Sequence, residues 1–370
     1  MIRKVHLIAA ARPNFMKVAP LHHALARETW CRAEIVHTGQ HYDANMSASF
    51  FSDLRLPDPR FHLGVGSGSH AEQTGRVMIE YERLAAGERP DWIVVVGDVN
   101  STLACALVGA KLGIPVVHLE AGLRSGDRGM PEEINRLATD AISDVLWTPS
   151  ADADENLLRE NIPLAKIDRV GNFMIDSYEL LKDAIGAART AQRMHLTRGG
   201  YAVVTLHRPA NVDDPRCLAA AVEQLLGASA FLPMVFAVHP RTRRRLEEFN
   251  LWGSVAACAG MRVTEPLGYI EFMSLVSGAA AVVTDSGGVQ EETTYLGIPC
   301  ITLRDSTERP ITVREGTNRL LRIELLGDAL REVMAGRWPA GRRPALWDGK
   351  AAQRAVAALR ARSGIERGAM

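Results

Sequence analysis

Residues 284–317 read TDSGGVQEETTYLGIPCITLRDSTERPITVREGT, and the opening of this stretch decides how the rest of the chain is read. An apolar run over 279–283 stops abruptly at Asp285, Ser286, Gly287 and Gly288, and a helix-like segment follows over 289–296. The expected local structure is a strand, a tight glycine turn and a helix N-terminus. Such a turn presents unpaired backbone N–H groups and the positive end of the helix dipole, so it suits a phosphate. Ser286 adds a hydroxyl donor. Glu292, four residues past Gly288, falls one helical turn in, where a carboxylate can accept from two neighbouring ribose hydroxyls. Glu308 and Arg309 bring a second charged pair. Gly-Gly alone is an ordinary strand-to-helix turn; serine, two glycines, a glutamate and an arginine together point to a nucleotide site.

Outward from that stretch, apolar runs alternate with helix-length segments. They lie at 5–10, 33–37, 92–96, 115–119 and 145–148, and again at 202–206, 234–238, 262–264, 280–284 and 300–303. The alternation argues for parallel sheets covered on both faces. A long helical stretch, 174–197, separates the two series, and the domain connection is placed after Asn172. The expected fold is α/β: two Rossmann-like doubly wound domains with a cleft between them. The first spans 1–172, the second 173–345, and 346–370 carries a C-terminal helix that can pack back on the first. Ligands of such folds lie outside the carboxyl ends of the strands.

The length of 370 residues suits two domains. With 43 basic and 43 acidic residues the formal net charge is zero, so no global field favours nucleic acid or an anionic membrane. Five cysteines, at 31, 105, 217, 258 and 300, have no CxxC spacing, lie in or near apolar segments and read as reduced core residues. The N-terminus enters a strand-like run at once, without a signal-peptide layout, and no apolar stretch approaches membrane-spanning length. A cytoplasmic protein is expected.

The strand ends are rich in chemistry. The first leads to Arg12 and Lys17, two cations at a helix start that suit a diphosphate. The second ends at Thr38, Gly39, Gln40 and His41, the third at Gly97 and Asp98, the fourth at His118 and Glu120. Glu132, Glu133, Asn135 and Arg136 open a helix behind Pro131. In the second half the strand ends carry His207 and Arg208, then His239 and Arg241. Each has an ordinary explanation when taken alone. Asp98 suits a helix cap, Glu132 and Glu133 suit the dipole of a first turn, lone histidines are commonly structural, and the cations over 241–245 suit a solvated helix face. Their concentration immediately after apolar strands is the pattern of a lined site. His37 and His41 straddle Thr-Gly and lack the helical geometry of a zinc pair, so no metal is expected. Gly66, Gly68 and Ala71 match G-x-G-x-x-A formally, but 60–65 is a poor strand and no acidic residue follows at the required distance, so a loop is expected.

Taken together, these motifs resemble the non-hydrolysing UDP-N-acetylglucosamine 2-epimerases over nearly the whole chain. The match runs from Arg12-Pro13 through Thr38 to His41, Gly97-Asp98, Glu120 to Arg124, Pro131 to Glu133, Asn135-Arg136 and His207-Arg208. It continues to Asp285 to Glu292 and Thr307 to Pro310. The resemblance implies a GT-B-like fold, a homodimer, a UDP-sugar substrate, and no requirement for metal or nicotinamide cofactor. It implies Asp98, Glu120 and Glu132 as the acid–base groups, with His207 at the diphosphate and proton transfer as a further role. Ser286, Gly287 and Gly288 would hold phosphate, Glu292 the ribose, and Phe272 would lie near the uracil. Arg12, Lys17, Arg136 and Arg309 would serve the anionic intermediate state, and Gln40 and His239 complete the implied substrate contacts.

The implied reaction expels UDP from carbon 1, which acidifies the carbon 2 hydrogen, and passes through 2-acetamidoglucal. It needs a base and an acid reaching both faces of one carbon, and cations for the leaving diphosphate. Two departures stand out. Asn14 occupies a position where many members carry glutamate. The Tyr42-Asp43 continuation and the Gly/Ser-rich 66–70 region lack the arginine of members activated by their own substrate, so weaker dependence on an activator is expected. A hydrolysing epimerase, a GT-B glycosyltransferase and a silent UDP-sugar sensor remain open readings.

Overall fold

A computed structural model describes residues 2–39, 51 and 53–365, with Arg12 described by its backbone. The chain divides into two units, Met1–Leu180 with Ala345–Met370, and Leu181–Pro344. The division falls inside the helix Phe173–Ala188.

The first unit holds seven parallel strands: β1 (Arg3–Ala9), β2 (Cys31–His37), β3 (Phe61–His62), β4 (Trp92–Val96), β5 (Val116–Leu119), β6 (Val145–Thr148) and β7 (Ile167–Arg169). Their order is β3-β2-β1-β4-β5-β6-β7. The chain builds outward from β1 to β3, then returns to the other side of β1 as β4, with Val5 opposite Trp92 and Leu7 opposite Val94. A crevice opens at that reversal, outside the strand ends. β4 is buried along its whole length, as a central strand with helices on both faces must be. Close packing of one such helix, Asn100–Leu112, requires Gly109: a Cβ there would sit 2.5 Å from Val116 Cγ2 and 2.9 Å from Ile93 Cδ1.

The second unit repeats the plan with six parallel strands: β8 (Ala202–Thr205), β9 (Met234–Ala237), β10 (Met261–Thr264), β11 (Ala281–Thr284), β12 (Cys300–Thr302) and β13 (Asn318–Leu320). Their order is β10-β9-β8-β11-β12-β13, so the reversal lies between β8 and β11. Val204, Phe236, Val283 and Ile301 form the centre of its core. The expected α/β class, two Rossmann-like units in a GT-B-like chain, is the class observed.

The last helix, Ala351–Arg362, packs on the helix Arg12–Leu25 of the first unit. Asp176 accepts its first free N–H groups, from Ala351 at 3.0 Å and Ala352 at 2.7 Å. Trp347 Nε1 donates to the carbonyl of Pro149 at 3.0 Å. Among the described residues no helix is long and apolar enough to cross a membrane.

Two sequence expectations are corrected. The helix expected over 174–197 stops at Ala188, because Arg189 adopts a left-handed φ of 46°, and only a short helix, Thr190–Arg193, follows. Cys217, read with the other cysteines as a core residue, is exposed, and the poor strand read over 60–65 is the two-residue β3, whose Phe61 and His62 pair with Val36 and His37. Two residues are too short a run for alternation to register.

Candidate active site

At the first reversal, β1 leads into the helix Arg12–Leu25, with proline in its first turn where the missing N–H costs nothing. The Arg12 side chain lies outside what is described. Asn14 Oδ1 accepts the N–H groups of Ala11 at 2.9 Å and Ala10 at 3.2 Å, and its Nδ2 donates to the carbonyl of Val96 at 3.0 Å. The amide thus bridges the ends of β1 and β4 with a donor and an acceptor. A glutamate, acceptor-only when ionised, has no donor for that carbonyl, which gives the departure at position 14 a physical meaning. One turn further, buried Lys17 pairs with Glu120. A small cavity is bordered by Lys17, Glu120, Asn172 and Phe173.

Glu120 follows β5 at a φ of 73°, a left-handed conformation that costs a non-glycine residue energy and concentrates at functional sites. Gly97, after β4, has a φ of 71°, and a Cβ on it would lie 3.5 Å from Asn14 Nδ2 and 3.6 Å from Glu120 Oε2. The next residue, Asp98, is held by Arg136, and its carbonyl accepts from Asn135 Nδ2 at 2.9 Å. Arg136 is in turn fixed by Glu133 through Nε at 3.0 Å and Nη2 at 2.7 Å. Glu133 also accepts the N–H groups of Ser125 and Gly126. Burial alone would raise the Glu133 carboxyl, but those N–H groups and Arg136 hold it below the ordinary value.

Sequence reasoning placed weight on Glu132; Glu132 is exposed on the first turn of the helix Pro131–Ile142, while its neighbour Glu133 is the buried partner of Arg136. Glu132 and Glu133 stand four and three residues before Arg136, so spacing alone admits either as its partner. Asp98, Glu120, Lys17 and Arg136 come together as two carboxylate–cation pairs on adjacent strand ends. Gln40, His41, Tyr42 and Asp43 lie outside the described residues.

At the second reversal Asp285 does not face outward with the turn. It is fully buried and accepts the N–H groups of His207 and Arg208, Asn211 Nδ2, and His207 Nδ1 at 2.8 Å. These contacts tie β8 to β11. Burial by itself would raise the Asp285 carboxyl, but His207 and the backbone donors hold it below its usual value. With Nδ1 so occupied, His207 is left to present Nε2. The His239 ring lies 5.5 Å from the His207 ring, and its Nδ1 accepts the Arg241 N–H at 3.2 Å as a helix cap. Burial and the neighbouring His207 lower its pKa, which suits a capping acceptor. Arg241 and Arg245, read as a solvated face, both grip Asp213.

Ser286 is the N-cap of the helix Gly287–Leu296, but its hydroxyl makes no capping bond and is free of that duty. The Arg309 guanidinium lies over the first turn: a Cβ on Gly287 would fall 2.7 Å from Nη1. Arg309 Nε is 3.0 Å from Glu291 Oε2. Glu308, expected with Arg309 as a charged pair, is buried; Arg309 Nη1 lies 3.6 Å from its Oε2, and Arg304 donates to it at 2.8 and 2.9 Å. Burial opposes its ionisation, but Arg304 and Arg309 drive its pKa far down. Glu292 is buried too, and Tyr269 Oη donates to it at 2.7 Å. Burial, with a smaller push from Glu291, raises its pKa to about 8. Tyr269 escaped sequence reasoning, yet it lies on the helix Tyr269–Val276 one turn before the half-buried Phe272. Among the described residues no group of three or more His, Cys, Asp or Glu is placed to hold a metal.

Comparison with known proteins adds independent findings. The family model described as UDP-N-acetylglucosamine 2-epimerase matches residues 23–360. The UDP-N-acetylglucosamine 2-epimerase of Methanocaldococcus jannaschii is 44% identical over 331 residues, 86% of this chain and 88% of that protein. A UDP-2,3-diacetamido-2,3-dideoxy-D-glucuronate 2-epimerase of Pseudomonas aeruginosa is 41% identical over 86% of this chain and 88% of its own. The crystal structure of the M. jannaschii UDP-GlcNAc 2-epimerase in complex with UDP-GlcNAc and UDP superposes with a TM-score of 0.87 at 42% identity, covering 96% of this chain and 99% of that one.

Proposed function

The chain belongs to the UDP-N-acetylglucosamine 2-epimerase family, and we propose that it interconverts UDP-N-acetylglucosamine and UDP-N-acetylmannosamine without hydrolysis. The observation that carries this reading is the pair of carboxylate–cation couples at the first reversal, Glu120 with Lys17 and Asp98 with Arg136. Carbon 2 of the sugar has no adjacent carbonyl, so direct removal of its hydrogen is very costly. Breaking the bond from carbon 1 to the diphosphate oxygen first sends the electron pair out with UDP and leaves positive charge on carbon 1. A carboxylate then takes the carbon 2 proton, giving 2-acetamidoglucal. Protonation from the opposite face and return of the UDP oxygen to carbon 1 give the epimer. Two carboxyl groups and two cations are the parts this sequence of steps requires.

The two units divide the work. The second supplies the N-terminus of Gly287–Leu296, the Ser286 hydroxyl, His207 and Arg309 for the diphosphate. Glu292, paired with Tyr269, takes the ribose, and Phe272 lies by the uracil. Gln40 and His239 are further substrate contacts, and Arg12 serves the intermediate. The first unit supplies Asp98 and Glu120, with Glu132 as the third acid–base group. A homodimer, a cytoplasmic location, independence from metal and nicotinamide, and weak dependence on an activator belong to the same reading and rest on the family resemblance.

Product analysis tests it. UDP-N-acetylglucosamine incubated with the purified protein is expected to yield UDP-N-acetylmannosamine as the new species on anion exchange. Stoichiometric free N-acetylmannosamine and UDP would make it a hydrolysing enzyme. Faster turnover of the UDP-2,3-diacetamido uronate would move the substrate to that of the P. aeruginosa relative.

A further inference from the structure

His118 is the last strand residue but one of β5, fully buried, and none of the roles above uses it. Its Nδ1 lies 2.5 Å from Asp140 Oδ1 and its Nε2 lies 2.8 Å from the carbonyl oxygen of Gly97. A carbonyl only accepts. Asp140 only accepts as well when ionised, and its other oxygen is occupied by the N–H of Gly122 at 3.0 Å and by Arg124 Nη2 at 2.7 Å. Burial opposes ionisation of Asp140, but the charges of His118 and Arg124 and the hydrogen bonds they donate hold its pKa below the ordinary value. Nε2 of His118 therefore donates to Gly97, and a single proton joins Nδ1 to Asp140.

The placement of these contacts matters more than their number. Gly97 immediately precedes Asp98, and its own N–H donates to the carbonyl of Leu119, the residue before Glu120. Asp140 lies one turn after Arg136 on the buried face of Pro131–Ile142, the helix whose Arg136 holds Asp98 and whose first turn carries Glu132. One imidazole thus fastens three elements at once: the end of β4, the end of β5 and the helix behind them. Each of the three proposed acid–base groups sits on one of these elements. We propose that His118 is a positioning residue, a clamp hydrogen-bonded through both ring nitrogens that sets the mutual placement of Asp98, Glu120 and Glu132 without touching substrate. The inference rests on the epimerase reading for its consequence, but the clamp itself is a property of the free protein.

Displacement of a reacting group by about 1 Å costs on the order of a hundredfold in rate. His118→Gln is therefore expected to lower kcat about a hundredfold, with KM and the calorimetric affinity for UDP within about twofold of the wild type, since the proposed UDP contacts lie in the other unit. Asp140→Asn keeps the clamp: its amide donates to Nδ1 while Nε2–H stays on Gly97, so it is expected to retain more than about a tenth of wild-type kcat. A spectroscopic arm stands apart from activity. In 15N-histidine-labelled free protein, His118 Nε2 should carry a slowly exchanging proton, and a second, strongly downfield proton should lie between Nδ1 and Asp140. Wild-type kcat in His118→Gln, equal losses in the two variants, or a His118 Nε2 without a proton would each overturn the proposal. Should the wild type turn over no UDP-N-acetylglucosamine, the epimerase reading fails, and the nitrogen spectrum still decides the clamp.

Discussion

At the scale of single residues, the site is defined by side chains whose partners no sequence pattern could assign. The residue types at 98 and 120 were legible because they stand directly after apolar runs, and those at 17 and 136 because they lie in the opening turns of the helices Arg12–Leu25 and Pro131–Ile142. That Lys17 takes Glu120 while Arg136 takes Asp98 follows from the return of β4 beside β1, which local sequence does not encode. Glu132 and Glu133 sit in one helical turn, and only the packing of Pro131–Ile142 decides which one meets Arg136. Asp98→Asn, Glu120→Gln and Glu132→Gln are each expected to lower turnover at least about a hundredfold, as loss of a general acid or base does. Steady-state kinetics checks this, and near-normal turnover in any one would remove that residue from the mechanism. Glu292 gives a second prediction. Its folded pKa of about 8 lies above that of an unfolded glutamate, near 4.5, so between those values the native state binds more protons than the unfolded state. The stability this group contributes is complete at low pH and is lost as pH rises through 8. Thermal melts should show Tm falling from pH 6 to pH 9 in the wild type and a flatter profile in Glu292→Gln; parallel profiles would contradict it.

At the scale of elements, the two reversals explain why the chemistry collects where it does. The strands were legible as apolar runs, and the turn at 285–288 as a glycine pair before a helix. The direction of Asp285 was not, because the N–H groups it caps belong to His207 and Arg208, 78 and 77 positions away. Nor was the break at Arg189, where a residue of good helix propensity takes a left-handed turn. The N-terminus of Gly287–Leu296 is the element with the most direct test. A methyl group on Gly287 meets the far end of the Arg309 side chain, which can swing aside without disturbing the core. Gly287→Ala is expected to weaken UDP binding about tenfold, the order of one charge-assisted hydrogen bond, while leaving Tm nearly unchanged. Calorimetry and a melt on one sample separate the two effects, and unchanged UDP affinity would take Arg309 away from the diphosphate.

At the scale of the whole molecule, the sequence carries two doubly wound units and one returning tail. The apolar alternation makes both units legible, and the zero net charge agrees with a chain that concentrates its anion partners locally. What the sequence withholds is the pinning of the tail, because Asp176 meets Ala351 and Ala352 only after 175 and 176 positions of intervening chain. Asp176→Ala is expected to remove about 1–2 kcal/mol, the scale of a helix cap. Hydrogen exchange should then quicken in Ala351–Arg362 and Arg12–Leu25, with β8 to β13 unaffected; equal loss of protection in the second unit would contradict that assignment. The central claim, epimerisation by elimination and re-addition, is tested most directly by a proton NMR time course in deuterium oxide with UDP-N-acetylglucosamine and no added metal or cofactor. The account predicts a growing manno epimer that carries deuterium at carbon 2. A manno epimer retaining its original hydrogen at carbon 2, or a spectrum that never changes, would contradict it.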